Sequence, residues 1–374
     1  MNATALGLIY TGKVNPYMKD LTLSRSVAAL PFGGRYRCID FILSNMVNSG
    51  VESVGLILQK NYHSLMDHLG AGKEWDLDRK REGLFLLPPF LTKDSTGVYR
   101  GSVDAYRACL GYIRRCPQQY AILSGSYTIF NMPFQNMMSR HITSGADITM
   151  LFSEDSMEPV VEPNHDVRIR MDEDGRVTAL EIDASHPMST HRSCDVIIID
   201  KKLLEYLVEE AYARGESEFL RDVIIKKLST LKVLGYRYDG FVVRLDSVDS
   251  YYRSNLALLD EKKRGDLFNA AHPIYTKVKD EVSTHYGESA HVTNSILADG
   301  CTINGTVENS ILFRGVTVGK GATVRNSIVL QGAVIGKGCS VDHVIFDKRS
   351  ELREGRVLTG YDTFPIIVRK NTVI

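Results

Sequence analysis

Two near-copies constrain this chain more than any other feature. Val318-Gly-Lys-Gly-Ala-Thr-Val324 and Ile335-Gly-Lys-Gly-Cys-Ser-Val341 each set an aliphatic residue six positions after another, with glycine and small residues between. Ile296, Ile303, Val307, Ile311 and Ile328 carry the same beat less perfectly. Such a period fits a left-handed β-helix of hexapeptide repeats: each hexad makes one side of a triangular coil, the aliphatic residue fills the axis and glycine turns the corner. An irregular β-sandwich with glycine turns is the competing reading. A coil end leaves strand edges unpaired, so this domain is expected to finish against another domain or another subunit. Exposed aliphatic positions between Val316 and Ile345 are the expected contact.

The residues before this region have a different texture. Short apolar runs at Ala5 to Tyr10, Val51 to Gln59, Tyr120 to Leu123, Asp147 to Phe152 and Asp195 to Asp200 read as strands. Amphipathic stretches separate them. In one, Ile39, Leu43, Met46 and Val47 recur at three-to-four spacing and Gly50 supplies a C-cap. Strand and helix in alternation imply parallel βαβ units and a doubly wound, Rossmann-like α/β sheet. Val167 to Leu180 reads instead as a hairpin, since two alternating strands flank Asp174-Gly175. The expected division is an α/β domain over 1–262, a linker over 263–285 and the β-helix over 286–374.

A chain of 374 residues buries enough apolar surface to need no disulfide or structural metal. Lysine plus arginine number 45 and aspartate plus glutamate 45, a balance that argues against nucleic acid or anionic lipid as partner. The six cysteines form no C-x-x-C pair and read as reduced thiols. With no apolar run of membrane length and no basic leader, the expected location is cytoplasmic. The common phosphate-loop, dinucleotide, zinc-protease and nucleophile-elbow patterns are absent. Thr11-Gly12-Lys13 has too few glycines for a phosphate cradle and reads as a turn. An acyltransferase needs a basic histidine in the coil; His291 and His343 lack a recognisable partner and read as surface residues.

One run rises above this background: Arg25-Ser-Val-Ala-Ala-Leu-Pro-Phe-Gly-Gly-Arg-Tyr-Arg-Cys-Ile-Asp-Phe-Ile-Leu-Ser-Asn-Met-Val-Asn-Ser-Gly50. With Gln59, His63-Ser-Leu65, Tyr99-Arg-Gly-Ser-Val-Asp-Ala105 and His272-Pro-Ile-Tyr-Thr276, it resembles the bacterial glucose-1-phosphate adenylyltransferases, or ADP-glucose pyrophosphorylases. The resemblance covers essentially the whole chain. It implies a nucleotidyltransferase-like α/β domain before the β-helix, and a reaction in which glucose 1-phosphate attacks the α-phosphorus of ATP to give ADP-glucose and pyrophosphate. Cations must offset the charge on two polyanions and a departing third. In the family two aspartates hold magnesium, a glycine-rich loop cradles the triphosphate, a lysine contacts it, and a Glu-Lys-Pro run helps hold the sugar phosphate.

Against that pattern the family loop has become Tyr10-Thr-Gly-Lys-Val-Asn-Pro-Tyr-Met-Lys-Asp-Leu-Thr22, without paired glycines. The family lysine falls on Val27, the first metal aspartate on Ser126 in Ser124-Gly-Ser-Tyr-Thr-Ile129, and the Glu-Lys-Pro run on Ser185-His186-Pro187. The second metal aspartate falls on Arg244, with Asp246 two residues on as a possible substitute. Losing one preorganised transition-state contact costs on the order of a hundred- to a thousandfold in rate. The resemblance therefore implies the degenerate regulatory subunit of this family, without a tightly bound cofactor, serving a catalytic subunit that carries the magnesium. The alternatives are an active adenylyltransferase with displaced ligands and a stand-alone nucleotide or sugar-phosphate sensor. Gln59, which matches a residue that reads adenine, and Gly101, Asp104 and Gly125 are the nucleotide-site remnants. Arg25, Arg35 and Arg37 are the candidates for a phosphorylated effector, because arginine grips phosphate oxygens in pairs.

Overall fold

The computed structural model describes residues 4–12, 15–89, 91–92, 95–96, 99–155 and 165–374. Lys13 of the Thr11-Gly-Lys turn lies outside them. The α/β domain is built on β1 (Ala5–Tyr10), β2 (Ser53–Ile57), β3 (Gly83–Leu87), β4 (Tyr120–Ser124), β5 (Ile148–Glu154), β6 (Val167–Met171), β7 (Val177–Ile182), β8 (His191–Asp200) and β9 (Val233–Arg237). The sheet runs β7-β6-β8-β4-β1-β2-β3, with β5 pairing β8 and β9. β1, β2, β3 and β4 are mutually parallel, as the alternation of strand and helix implied. β8 runs antiparallel to β4 and β5, so the sheet is mixed. β6 and β7 form the expected hairpin, with Gly175 at φ +77° in its turn.

Helix α1 (Cys38–Asn48) starts where Asp40 accepts from the Arg37 backbone N–H, and its residues Cys38 to Met46 are all buried. A helix on the face of a sheet ordinarily shows one side to solvent. This one is covered twice: Ile39, Ile42, Leu43 and Met46 pack on the sheet, while Cys38 and Phe41 join the core under the β-helix. The α/β region continues through α2 (Val248–Leu256) to a last helix, α3 (Glu261–Leu267), capped by Asp260. The helix takes the first part of the expected linker because Asp260 accepts from two of its free N-terminal N–H groups. The first coil strand is His285–Tyr286.

The C-terminal region is a coil of three parallel five-stranded sheets. Ile303, Val307, Leu312, Val318, Val324, Val329, Ile335, Val341 and Phe346 fill its axis. Asn294, Asn309, Asn326 and His343 turn corresponding corners at φ +40°, +46°, +43° and +54°. Asparagine tolerates that left-handed region better than most residues, and His343 takes its place in the column.

The third sheet is apolar on both faces. Ile311, Phe313, Ile328, Leu330 and Ile345 point away from the axis into a core shared with Phe41, Tyr251, Tyr252 and Leu258 of the α/β domain. The expectation of exposed aliphatic residues between Val316 and Ile345 holds only at Val334, which is 36 % exposed; Val316, Val318, Ile328, Val329, Leu330 and Ile345 are buried. The chain covers that face itself. No helix among the described residues is long and apolar enough to cross a membrane.

Candidate functional site

The ends of β1 and β4 bring several of the substituted positions together. Val27, Ser126, Thr11 and Asn15 surround one cavity of about 10 Å³. Gly125 and Ser124 line a neighbouring one of about 50 Å³ with Tyr10, Tyr106, Asp195 and Glu218. Pockets for small molecules usually measure roughly 300–1,000 Å³, so neither holds a nucleotide as it stands. Asp195 is one reason. It sits at φ +57°, and a Cβ on Gly125 would lie 1.8 Å from its Oδ2.

The nucleotide-site candidates are engaged within the chain. The Gln59 Oε1 accepts from the Tyr10 hydroxyl at 3.2 Å and its Nε2 donates to the Tyr99 carbonyl at 3.1 Å. Gly101 allows close approach of residues 217 and 218, since a Cβ there would stand 2.4 Å from the Ser217 carbonyl oxygen. Asp104 pairs with Arg100 at 2.8 Å, which pulls its carboxyl below the usual range. Ser185 and His186 are exposed in the loop between β7 and β8.

Arg244 is largely enclosed beside this site. It donates to the Ser153 hydroxyl at 2.6 Å and to the Arg192 carbonyl at 3.2 Å. Next to it, Arg192 on β8 meets three carboxylates: Nε pairs with Asp166, one terminal nitrogen with Asp155 at 3.0 Å and the other with Asp246 at 2.7 Å. Burial disfavours the charge on Arg192, and the three aspartates more than restore it. Burial pushes the Asp246 carboxyl up, partly offset by Arg192. Magnesium, which the family implies, does not fit this arrangement. Ser126 and Arg244 offer no carboxylate, Asp246 is held by a guanidinium, and no group of three or more His, Cys, Asp or Glu among the described residues is arranged to hold a metal.

Where the two domains meet, cations crowd without equivalent acids. A cavity of about 270 Å³ is lined by Arg25, Arg37, Lys279, Lys348, Arg349 and Lys370, with Asp67 the only carboxylate in its wall among the described residues. An adjoining one takes in Arg35 and Arg314 beside Lys277 and His68. Arg37, Lys279, Arg314 and Lys348 have no carboxylate within ion-pair distance among the described residues. Burial and neighbouring cations lower the pKa of each, that of Lys348 to about 7.

Of the three arginines read as effector contacts, Arg37 is in this wall, tied to Ser64 through its carbonyl and hydroxyl oxygens. Arg35 is exposed, with its guanidinium over the Tyr36 ring. Arg25 is 3 % exposed and donates to both carboxylate oxygens of Asp347 at 2.7 and 2.6 Å. Arg25 thus pins the first domain to the coil. The sequence reading passed over Arg192, Lys279, Arg314 and Lys348. Only Asp347-Lys-Arg349, a charged triplet in a coil of small residues, was a local signal.

This fold and site define a sugar-nucleotidyltransferase scaffold. The nucleotidyl transferase family matches residues 17–234, and the family described as GlmU-like, C-terminal hexapeptide matches residues 279–364. The glycogen biosynthesis protein GlgD of Bacillus subtilis is 40 % identical over all of this chain and 97 % of its own length. GlgD of Geobacillus stearothermophilus is also 40 % identical, over 100 % and 98 %. Glucose-1-phosphate adenylyltransferase of Geobacillus stearothermophilus is 31 % identical, over 86 % of this chain and 83 % of its own. The chain belongs to the family of these glucose-1-phosphate adenylyltransferases and GlgD proteins.

Proposed function

We propose that this chain is a regulatory, catalytically impaired subunit of a glucose-1-phosphate adenylyltransferase, supporting ADP-glucose synthesis for glycogen. The observation that carries the reading is a complete two-domain frame whose cleft is filled by its own side chains. Val27, Ser126 and Arg244 stand where the resembling enzymes have a lysine and two aspartates, and cavities of about 10 and 50 Å³ stand where a nucleotide would lie. Similarity to proteins named for glycogen biosynthesis over the full length supports the pathway.

In this reading the catalytic subunit binds magnesium and substrates, and this chain acts by binding the active form of its partner better than the inactive form. A tenfold activation corresponds to about 1.4 kcal/mol of such preference. The cavity of about 270 Å³ between the domains is the place for a phosphorylated effector. Cations from both domains line it, so an anion there ties the two together. The reading of an active enzyme with displaced ligands depends on Asp246, which Arg192 already holds at 2.7 Å.

The test is pyrophosphate release by the purified chain, alone and co-expressed with a catalytic subunit from the same organism. A stable mixed oligomer with a higher maximal rate or tighter substrate binding than the catalytic subunit alone is expected. Separate homo-oligomers with unaltered kinetics would overturn the regulatory reading, and robust turnover by the chain alone would establish the enzyme.

A further inference from the structure

The disagreement between the cleft and a metal goes further than missing ligands. Three carboxylates from three separate places converge on one guanidinium. Asp155 follows β5, Asp166 precedes β6, and Asp246 precedes α2. The Asp246 side chain is 16 % exposed, that of Asp155 29 %, that of Asp166 0 % and that of Arg192 11 %. Carboxylates so enclosed repel one another unless a cation sits among them.

We propose that Arg192 is a resident counter-cation: with Arg168, which pairs with Asp166 at 3.1 Å, and Arg244 beside Asp155, its guanidinium balances the three carboxylates, and the cleft therefore holds one closed shape without metal or nucleotide. The chemistry suits the task. Guanidinium is planar, keeps its charge at any physiological pH and offers five N–H donors in fixed directions, so one side chain reaches three carboxylates at once. Arg244 closes the second side, donating to Ser153 and to the Arg192 carbonyl and lying 3.6 Å from Asp155. Asn15 then fastens the first loop across the cleft, donating to the carbonyls of Leu245 and Asp246 at 3.2 and 2.8 Å. The inference concerns the cleft alone and does not rest on the existence of a partner subunit.

Amide hydrogen exchange of the full chain, read over residues 148–155, 165–171 and 244–250, tests it. In the parent protein, exchange there is expected to change less than twofold on adding magnesium, EDTA, or ATP with magnesium. Arg192→Met should lose at least tenfold of the protection in all three stretches while the coil after residue 300 exchanges as before. Asp246→Asn, which removes one of three pairs and leaves the guanidinium two partners, should lose less than Arg192→Met and confine the loss mainly to 244–250. If Arg192→Met does not fold, Asp246→Asn and the parent measurement still decide. Protection that rises more than tenfold in the parent on adding magnesium with ATP, or an Asp246→Asn pattern identical to the parent, overturns the proposal.

Discussion

The cleft and the domain junction are both rich in arginine, and they treat its charge in opposite ways. In the cleft Arg192 spends its three nitrogens on Asp155, Asp166 and Asp246, and nothing is left to attract a ligand. At the junction Arg37, Lys279 and Lys348 face a cavity in whose wall Asp67 is the one acid among the described residues, and Arg314 faces the adjoining cavity. A closed set of ion pairs fixes a shape, whereas unbalanced cations with room between them store a standing preference for an anion. Residue type alone does not separate these cases. Position across the fold does.

The largest expected effect is at the pair that holds the junction together. Asp347→Ala leaves the Arg25 guanidinium buried, uncompensated and close to Arg37 and Lys348. Breaking a buried pair by removing one partner typically costs roughly 3–5 kcal/mol. Urea denaturation followed by tryptophan and far-ultraviolet signals should register that loss. The combined change Arg25→Met with Asp347→Leu should recover most of it, since an apolar pair of similar volume carries no stranded charge. A loss below about 1 kcal/mol for Asp347→Ala, on the scale of exposed ion pairs, would mean that the junction is wetter than it looks.

A smaller effect is expected at Gln59, the residue with the best claim to nucleotide reading. Its amide bridges Tyr10 and the Tyr99 carbonyl, so Gln59→Leu strands buried polar groups at a cost of about 1–3 kcal/mol. ATP binding, measured by equilibrium dialysis, should stay undetectable in both proteins. Clear binding by the parent that Gln59→Leu abolishes would reopen the cleft as a nucleotide site.

These contrasts also explain what was legible beforehand. The glycine-spaced repeats gave the coil because each hexad repeats one local geometry, and the Ala5, Val51 and Tyr120 runs gave the parallel strands. The antiparallel course of β8 was hidden, because a buried apolar run looks alike in either direction. The departures from the resembling enzymes expected at Val27, Ser126 and Arg244 could each be read singly. The long-range ion pairs could not, since Arg192 lies 37 residues from Asp155 and 54 from Asp246, and Arg25 lies 322 from Asp347. Sequence spacing carries no trace of such pairings. The apolar outer face of the coil was visible as pattern, but whether its cover was another subunit or this same chain depended on the tertiary fold.

The finest expected effect uses pH to tell the junction from the cleft. Burial, with Arg37 and Arg25 nearby, lowers the Lys348 ammonium to about 7, below the value of an exposed lysine. Between pH 7 and roughly 10 the unfolded chain therefore holds a proton there that the folded chain does not, and this group makes stability rise with pH across that window. The charges facing it are Arg25, Arg37, Lys279 and Asp347. An anion in the cavity favours the charged ammonium, so it brings a proton with it and binds more weakly as pH rises above 7. Sulfate is the suitable probe, because unlike phosphate it does not titrate in this range. Its affinity, measured by calorimetry between pH 6.5 and 9, should fall by less than about tenfold per pH unit, and buffers of different ionisation heat should reveal proton uptake. Lys348→Met should bind sulfate more weakly at pH 6.5 and flatten the slope, leaving cleft exchange untouched. Sulfate affinity that is independent of pH in the parent would remove Lys348 from the site, while absence of any sulfate binding would remove the site itself.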